Sequence, residues 1–293
     1  MKSEFVKLKD IKPALTGYIK DSQVLLKRSV VPDDEAIHDI RVLMKKARSV
    51  LKLVSNQVTK DYCAKSLTDL REVGRNMSSL REIAVRRRTI KELKKENPSL
   101  FVQLENDERI KELLKKPELI VEASPQAAEM IAKNEELLKN SAFRIRFEQM
   151  DKIDPHLLLK ELESTYTDVC GIYLFCRNRP KPGKLHEFRK MAKCFLYQLS
   201  FFRPLNPDAI KKVEKLLDGI TQNLGKYNDQ NQLVKALGYS YRNGSNSTAL
   251  NELVLLIREK QEIHLSEVWP SAHKLFCPGK KLVNILGFKL LVI

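Results

Sequence analysis

The sequence predicts an all-α protein with an internal tandem repeat, and two observations carry that prediction. Only ten glycines punctuate 293 residues, and helix-forming residues with apolar positions at helical spacing fill the intervals. Two near-copies of one segment, HDIRVLMKKAR at 38–48 and HEFRKMAKCFL at 186–196, fall one in each half of the chain. Each carries a histidine, an acidic neighbour, an arginine three residues later and a lysine seven residues later. On a helix those offsets share a face, because 3.6 residues make a turn.

Taken in order, apolar periodicity predicts helices over 5–29, 34–55, 60–77, 80–96, 126–150, 156–178, 184–202, 207–223, 228–240 and 247–268. Pro32-Asp33-Asp34 supplies a turn and an N-cap for the first histidine helix. Leu80-Arg81-Glu82 reads as a helix start after a short turn, and Tyr227-Asn228-Asp229 falls at a matching distance behind the second histidine. The stretch 97–126, marked by Pro98, Pro117 and Pro125, has no counterpart in the second half and reads as a charged insertion. Pro155 places the boundary between a first unit, 1–154, and a second, 155–293. Pro180-Lys181-Pro182-Gly183 punctuates the chain before the second histidine helix. The terminal LVNILGFKLLVI, 282–293, falls short of the ~20 apolar residues that span a bilayer. It reads as a segment that docks on the body or mediates self-association.

Charge narrows the partners. Fifty-three Lys and Arg residues against 37 Asp and Glu leave a formal charge of +16, with a pI near 9.5. This favours anionic partners: nucleic acid, anionic lipid or polyphosphate-type ligands. Five cysteines, an odd number without a CxxC pair, point to reduced thiols and a cytoplasmic location. The opening MKSEFVKLKD lacks the apolar run of a signal peptide, and no membrane partner is expected.

The histidine helices can be read residue by residue. With His38 at 0° and ~100° per residue, Arg41, Lys45, Arg48 and Lys52 fall between about −80° and 0°. Ile40, Leu43, Ala47, Val50, Leu51 and Val54 fall between about 120° and 220°. A basic stripe and a core stripe therefore occupy opposite sides of one helix. In the second copy His186, Arg189 and Lys193 repeat the basic stripe, and Phe188, Met191, Phe195, Leu199 and Phe202 repeat the apolar one. Leu196 stands where Arg48 would be, which shortens the second basic face. A solvated helix face normally mixes signs to gain pairs one turn apart, whereas these stripes stack like charges at a cost. That pattern, recurring in both halves, points to an anion-binding surface. Arginine forks and lysine ammonium groups suit phosphate, with histidine as a further donor. Neighbouring cations should keep His38 neutral until a polyanion arrives, so binding should tighten as pH falls from about 7.5 to 6.

Catalytic patterns fit less well. His38-Asp39 suggests a metal-dependent phosphohydrolase, yet adjacent helical residues point about 100° apart. The other histidines, His156, His264 and His273, lack the spacing such a centre needs. Glu35-x-x-His38 matches half of a di-iron carboxylate site, but Gly183 stands where the second glutamate should be. Neither GxxxxGK[ST] nor GxGxxG occurs in the sequence.

The motif His-x-x-Arg-x-x-x-Lys on an amphipathic helix, present twice, resembles the CHAD domain, named for its conserved histidines and α-helical fold. LREIAV at 80–85 and LGKYNDQNQL at 224–233 resemble the segments that open a later helix in each CHAD repeat. The resemblance covers about 5–275, with 97–126 as its main departure. It implies an all-α fold of two tandem pseudo-symmetric four-helix bundles whose basic helices line a central groove. It also implies binding of inorganic polyphosphate, and for some members a location at polyphosphate granules. Other members are fused to a triphosphate-tunnel domain, whose acidic ExExK strand pattern is not found here. Carried over by position, His38, Arg41, Lys45, Arg48 and Lys52 would line one wall, and His186, Arg189 and Lys193 the other. Leu196 and Tyr197 depart from the arginine-tyrosine pair often found there, so the second wall is expected to bind more weakly. Arg144 and Arg146 are second-tier candidates.

The expectation is a non-enzymatic binder of inorganic polyphosphate or another polyanion, with no catalytic residue, metal or cofactor. The rival readings are a helical nucleic-acid-binding protein, a metal-dependent phosphohydrolase and a scaffold for an acidic protein. Base stacking favours aromatics interleaved with basic residues. The first stripe has none, and only Tyr197 approaches the second.

Overall fold

A computed structural model describes residues 10–28, 32–115, 125–150, 152–238 and 247–287. Among these residues every regular element is helical. Four helices contact one another in a closed ring: α1 (Ile11–Leu26), α2 (Asp34–Leu53), α3 (Lys60–Asn76) and α7 (Pro125–Phe147). A second ring joins α8 (Pro155–Asn178), α9 (Pro182–Leu199), α10 (Pro207–Ala236) and α11 (Thr248–Phe276). Between α3 and α7 run α4 (Ser78–Glu96) and the short α5 (Pro98–Gln103) and α6 (Glu108–Leu114).

The sequence starts these helices as the capping rules require. Asp33 accepts a hydrogen bond from the Ala36 amide at the head of α2, and Asp154 accepts from the His156 amide with Pro155 at the first turn of α8. The apolar stripe of α2 is fully buried at Ile40, Ala47, Val50, Leu51 and Val54, and that of α9 at Phe188, Phe195 and Leu199. One continuous apolar cluster runs through both rings and includes all of these residues. Helix α2 packs directly on α9, so the two histidine helices lie side by side. Gln198 of α9 donates to the Ser49 carbonyl of α2 at 3.1 Å inside that contact.

Several boundaries differ from the expectations. The start at 80 lies two residues inside α4, which follows α3 with only Met77 between them. The matching start at 227 does not exist, because α10 runs unbroken through it. Ile220, Leu224, Tyr227 and Gln230 keep one buried stripe going, with no proline or cap to interrupt it. The two halves are therefore unequal here: a broken α3–α4 faces a continuous α10. Helix α11 passes its expected end at 268 and carries Pro270 inside it, held by buried Val268, Ala272, Leu275 and Phe276. The insertion forms α5 and α6, whose Leu100, Phe101, Leu104 and Ile110 join a second core cluster with α4, α10 and α11. The expected ends at 5, 29 and 240 lie outside the described residues.

The C-terminal segment docks where it is described. Helix α12 (Leu282–Leu286) buries Leu282 and Leu286 against α10. Asn206, the N-cap of α10, accepts from the Ala209 amide and donates to the Leu286 carbonyl at 3.0 Å. Residues 288–293 lie outside the described residues. Among the described residues no helix is long and apolar enough to cross a membrane.

Candidate functional site

Packing α2 on α9 turns both basic stripes toward the same space. Between them lies a cleft of about 540 Å³ lined by His38, Lys45, Arg48 and Lys52 of α2 and by Arg189, Lys190 and Lys193 of α9. Helix α3 adds Arg71, and α10 adds Thr221 and Gln222. A smaller cavity of about 200 Å³ shares Lys45, Arg48 and Arg71 with the cleft and continues it along the first wall to Arg41 and Arg75.

Two stripe arginines are anchored as well as exposed to this space. Arg41 donates to the Gly74 carbonyl of α3. Arg189 Nε donates to the Thr221 carbonyl of α10 at 3.1 Å. The two bonds span nearly equal distances along the chain, 33 and 32 residues, and each ties the stripe arginine of a histidine helix to the helix that follows it. Gly225 makes room for the second anchor: a Cβ there would meet Arg189 Nε at 3.1 Å and Nη2 at 3.2 Å.

Burial first, and then the crowding of cations, sets the electrostatics. Lys45 is pushed down to about 8, first by burial and then by Arg189, Arg41, Arg48 and Lys193. Burial also lowers Arg48, with Arg71 and Arg41 adding repulsion. His38 is lowered by burial, Arg81, Lys45 and Arg88, against the opposing charge of Asp39. His186 is lowered by burial, Lys190, Arg189 and Lys45, while a hydrogen bond to Asn228 opposes them. Burial raises the Cys194 thiol in the cleft wall, against Ser49, Lys52 and Arg48.

The expected site residues are thus brought together unevenly. His38, Lys45, Arg48, Lys52, Arg189 and Lys193 line the main cleft. Arg41 lines its extension. His186 stands apart from the lining: it sits in the first turns of α9 beside Asn228, and its buried Nδ1 has no hydrogen-bond partner. Leu196, in the slot of Arg48, is buried in the core. Arg144 ion-pairs with Asp69 of α3, and Arg146 packs over the Phe147 ring, so neither reaches the cleft.

Sequence reasoning missed Arg71 and Arg75, which sit one turn apart on α3, and Arg81 and Arg88, two turns apart on α4. Their periodicity was readable, but the side of α2 that they face was not. Lys190 was missed because it falls about 100° from the stripe of Arg189. Among the described residues no three His, Cys, Asp or Glu side chains come together in a way that could hold a metal. The five cysteines are free thiols.

No curated protein matches the chain. The family model described as the CHAD domain matches residues 15–237, which takes in both histidine helices, both arginine anchors and every residue named in the cleft. The chain belongs to the CHAD domain family.

Proposed function

We propose that the cleft between α2 and α9 binds inorganic polyphosphate without transforming it. The observation that carries this reading is the set of cations on α2, α3 and α9 converging on one cleft, where burial first and then the neighbouring cations depress Lys45 to about 8. A site that stores this much like-charge repulsion is relieved by a ligand with many closely spaced negative charges. Family membership supports a polyphosphate-binding type of domain. Arg41, Lys45, Arg48, Lys52 and Arg71 would hold one side of the chain, and Arg189, Lys190 and Lys193 the other, with His38 at the rim. His186 would act from behind Arg189. The reduced thiols favour a cytoplasmic setting, with granule association as the family suggests.

Nucleic acid is the weaker ligand on this reading. Tyr197 is the aromatic of the cleft lining; its ring is half-buried and has the Lys193 ammonium 5.9 Å from its centroid, which makes it a poor stacking platform. Titration with polyphosphates of increasing length at two salt concentrations tests the proposal. Affinity should rise with length and fall steeply with salt, and single-stranded RNA should compete weakly. Tighter binding of RNA than of polyphosphate would refute it. Release of phosphate on incubation, with or without divalent metal, would refute the non-catalytic part.

A further inference from the structure

The two walls of the cleft differ in what opposes their cations. Among the described residues no carboxylate comes within ion-pair distance of Lys45, Arg48 or Arg71. On the second wall Lys193 and Arg189 are already engaged. Lys193 Nζ lies 3.1 Å from Asp218 Oδ1 of α10. Arg189 lies along the same helix, bonded to the Thr221 carbonyl and closed over Gly225. Asp229, further along α10, feels the charge of Arg189 as well as of Arg88 and Arg81 on α4. Eleven residues separate Asp218 from Asp229, which puts them within about 20° of one another on α10. Helix α10 therefore holds an acidic edge against the basic stripe of α9.

Accessibility sets which partner can move. The Asp218 side chain is 50% exposed and that of Lys193 23%. The carboxylate can swing into solvent while the ammonium stays in the cleft wall. A partly exposed pair of this kind is weak enough for a ligand to break.

We propose that Asp218 is a built-in competitor for Lys193, which reserves the second wall for polyanions long enough to be held first by the other wall. This rests on the polyphosphate reading of the cleft and deepens it to chain-length selection. An intramolecular carboxylate competes at high effective concentration, so a lone phosphate is at a disadvantage. A chain already bound to Arg48 and Lys45 delivers its next phosphates at a comparable effective concentration, with more charge than one carboxylate carries. Orthophosphate and pyrophosphate would occupy the first wall alone.

The test is a double-mutant cycle on the full chain with Asp218→Asn and Lys193→Met, titrated with tripolyphosphate and with long-chain polyphosphate. Asp218→Asn should tighten tripolyphosphate by about fivefold. It should also steepen the slope of log affinity against log salt by nearly one. Lys193→Met should cost less than about twofold in the wild-type background and about fivefold beside Asp218→Asn. Circular dichroism and melting should match the wild type, because the pair is partly exposed. An equal cost of Lys193→Met in both backgrounds overturns the proposal even where wild-type protein binds polyphosphate well. If neither wild type nor Asp218→Asn binds either polyphosphate, the cleft reading itself fails and this inference with it.

Discussion

The stripe residues do two kinds of work, and their substitutions should separate accordingly. The Arg48 and Lys45 side chains line the cleft and, among the described residues, make no hydrogen bond, so their loss should be felt by the ligand and not by the fold. Arg48→Ala should weaken polyphosphate binding by roughly tenfold, the worth of one charge-assisted contact, with an unchanged melting curve. Arg41→Ala should also destabilise the protein by about 1–3 kcal/mol, because it leaves the part-buried Gly74 carbonyl without its donor. Thermal melts beside titrations would show the split. The pH dependence follows from the same residues. Lys45 titrates near 8 in the empty cleft, and a bound polyanion favours its charged form, so binding takes up a proton there. Affinity should therefore fall as pH rises from about 7 to 9, and Lys45→Met should flatten that limb. The histidines titrate below their usual value when the cleft is empty, so affinity should rise as pH falls from about 7.5 to 6. Calorimetry in buffers of different ionisation enthalpy would count the protons.

Helix α10 shows how one element can serve both packing and binding. It contains two glycines, Gly219 and Gly225, and a glycine inside a helix costs about 1 kcal/mol against alanine. A Cβ at Gly219 meets nothing within 4 Å, so Gly219→Ala should stabilise the protein by up to about 1 kcal/mol and leave binding alone. A Cβ at Gly225 meets Arg189 at 3.1 Å and must displace its guanidinium by a few tenths of an ångström from its place against the Thr221 carbonyl. Gly225→Ala should therefore weaken polyphosphate binding even where the melting temperature holds. Equal effects of the two substitutions on binding would show that Arg189 does not need its anchor. The same element exposes the limit of periodicity. Helix α2 was legible nearly to the residue, because Asp33 caps it and its apolar stripe is strict. The continuity of α10 was not legible, because Tyr227-Asn228-Asp229 resembles a turn. Only burial of Leu224, Tyr227 and Gln230 against neighbours carries the helix through.

At the scale of the molecule, binding should behave as charge neutralisation. About six cations engaged with phosphate give a slope of roughly −4 to −5 for log affinity against log salt. Titrations at several salt concentrations would measure it, and a flat dependence would contradict the cleft. Occupancy should also relieve the repulsion around Lys45. Polyphosphate at a hundredfold excess over its Kd should add about 2.7 kcal/mol to the unfolding free energy, visible as a raised melting temperature. The sequence by itself determined the all-helical class, the repeated histidine helix, the opposite basic and apolar stripes, and six of the residues that line the main cleft. These are local properties, set by a period of 3.6 residues and by side-chain chemistry. Tertiary structure decided what the stripes face. It brought Arg71 of α3 into the cleft and left His186 outside the lining. It also set Asp218 of α10 against Lys193 while Lys45, Arg48 and Arg71 kept no carboxylate partner among the described residues. Which charges meet depends on how helices distant in the chain rotate to bury their apolar faces, and no single helix carries that information.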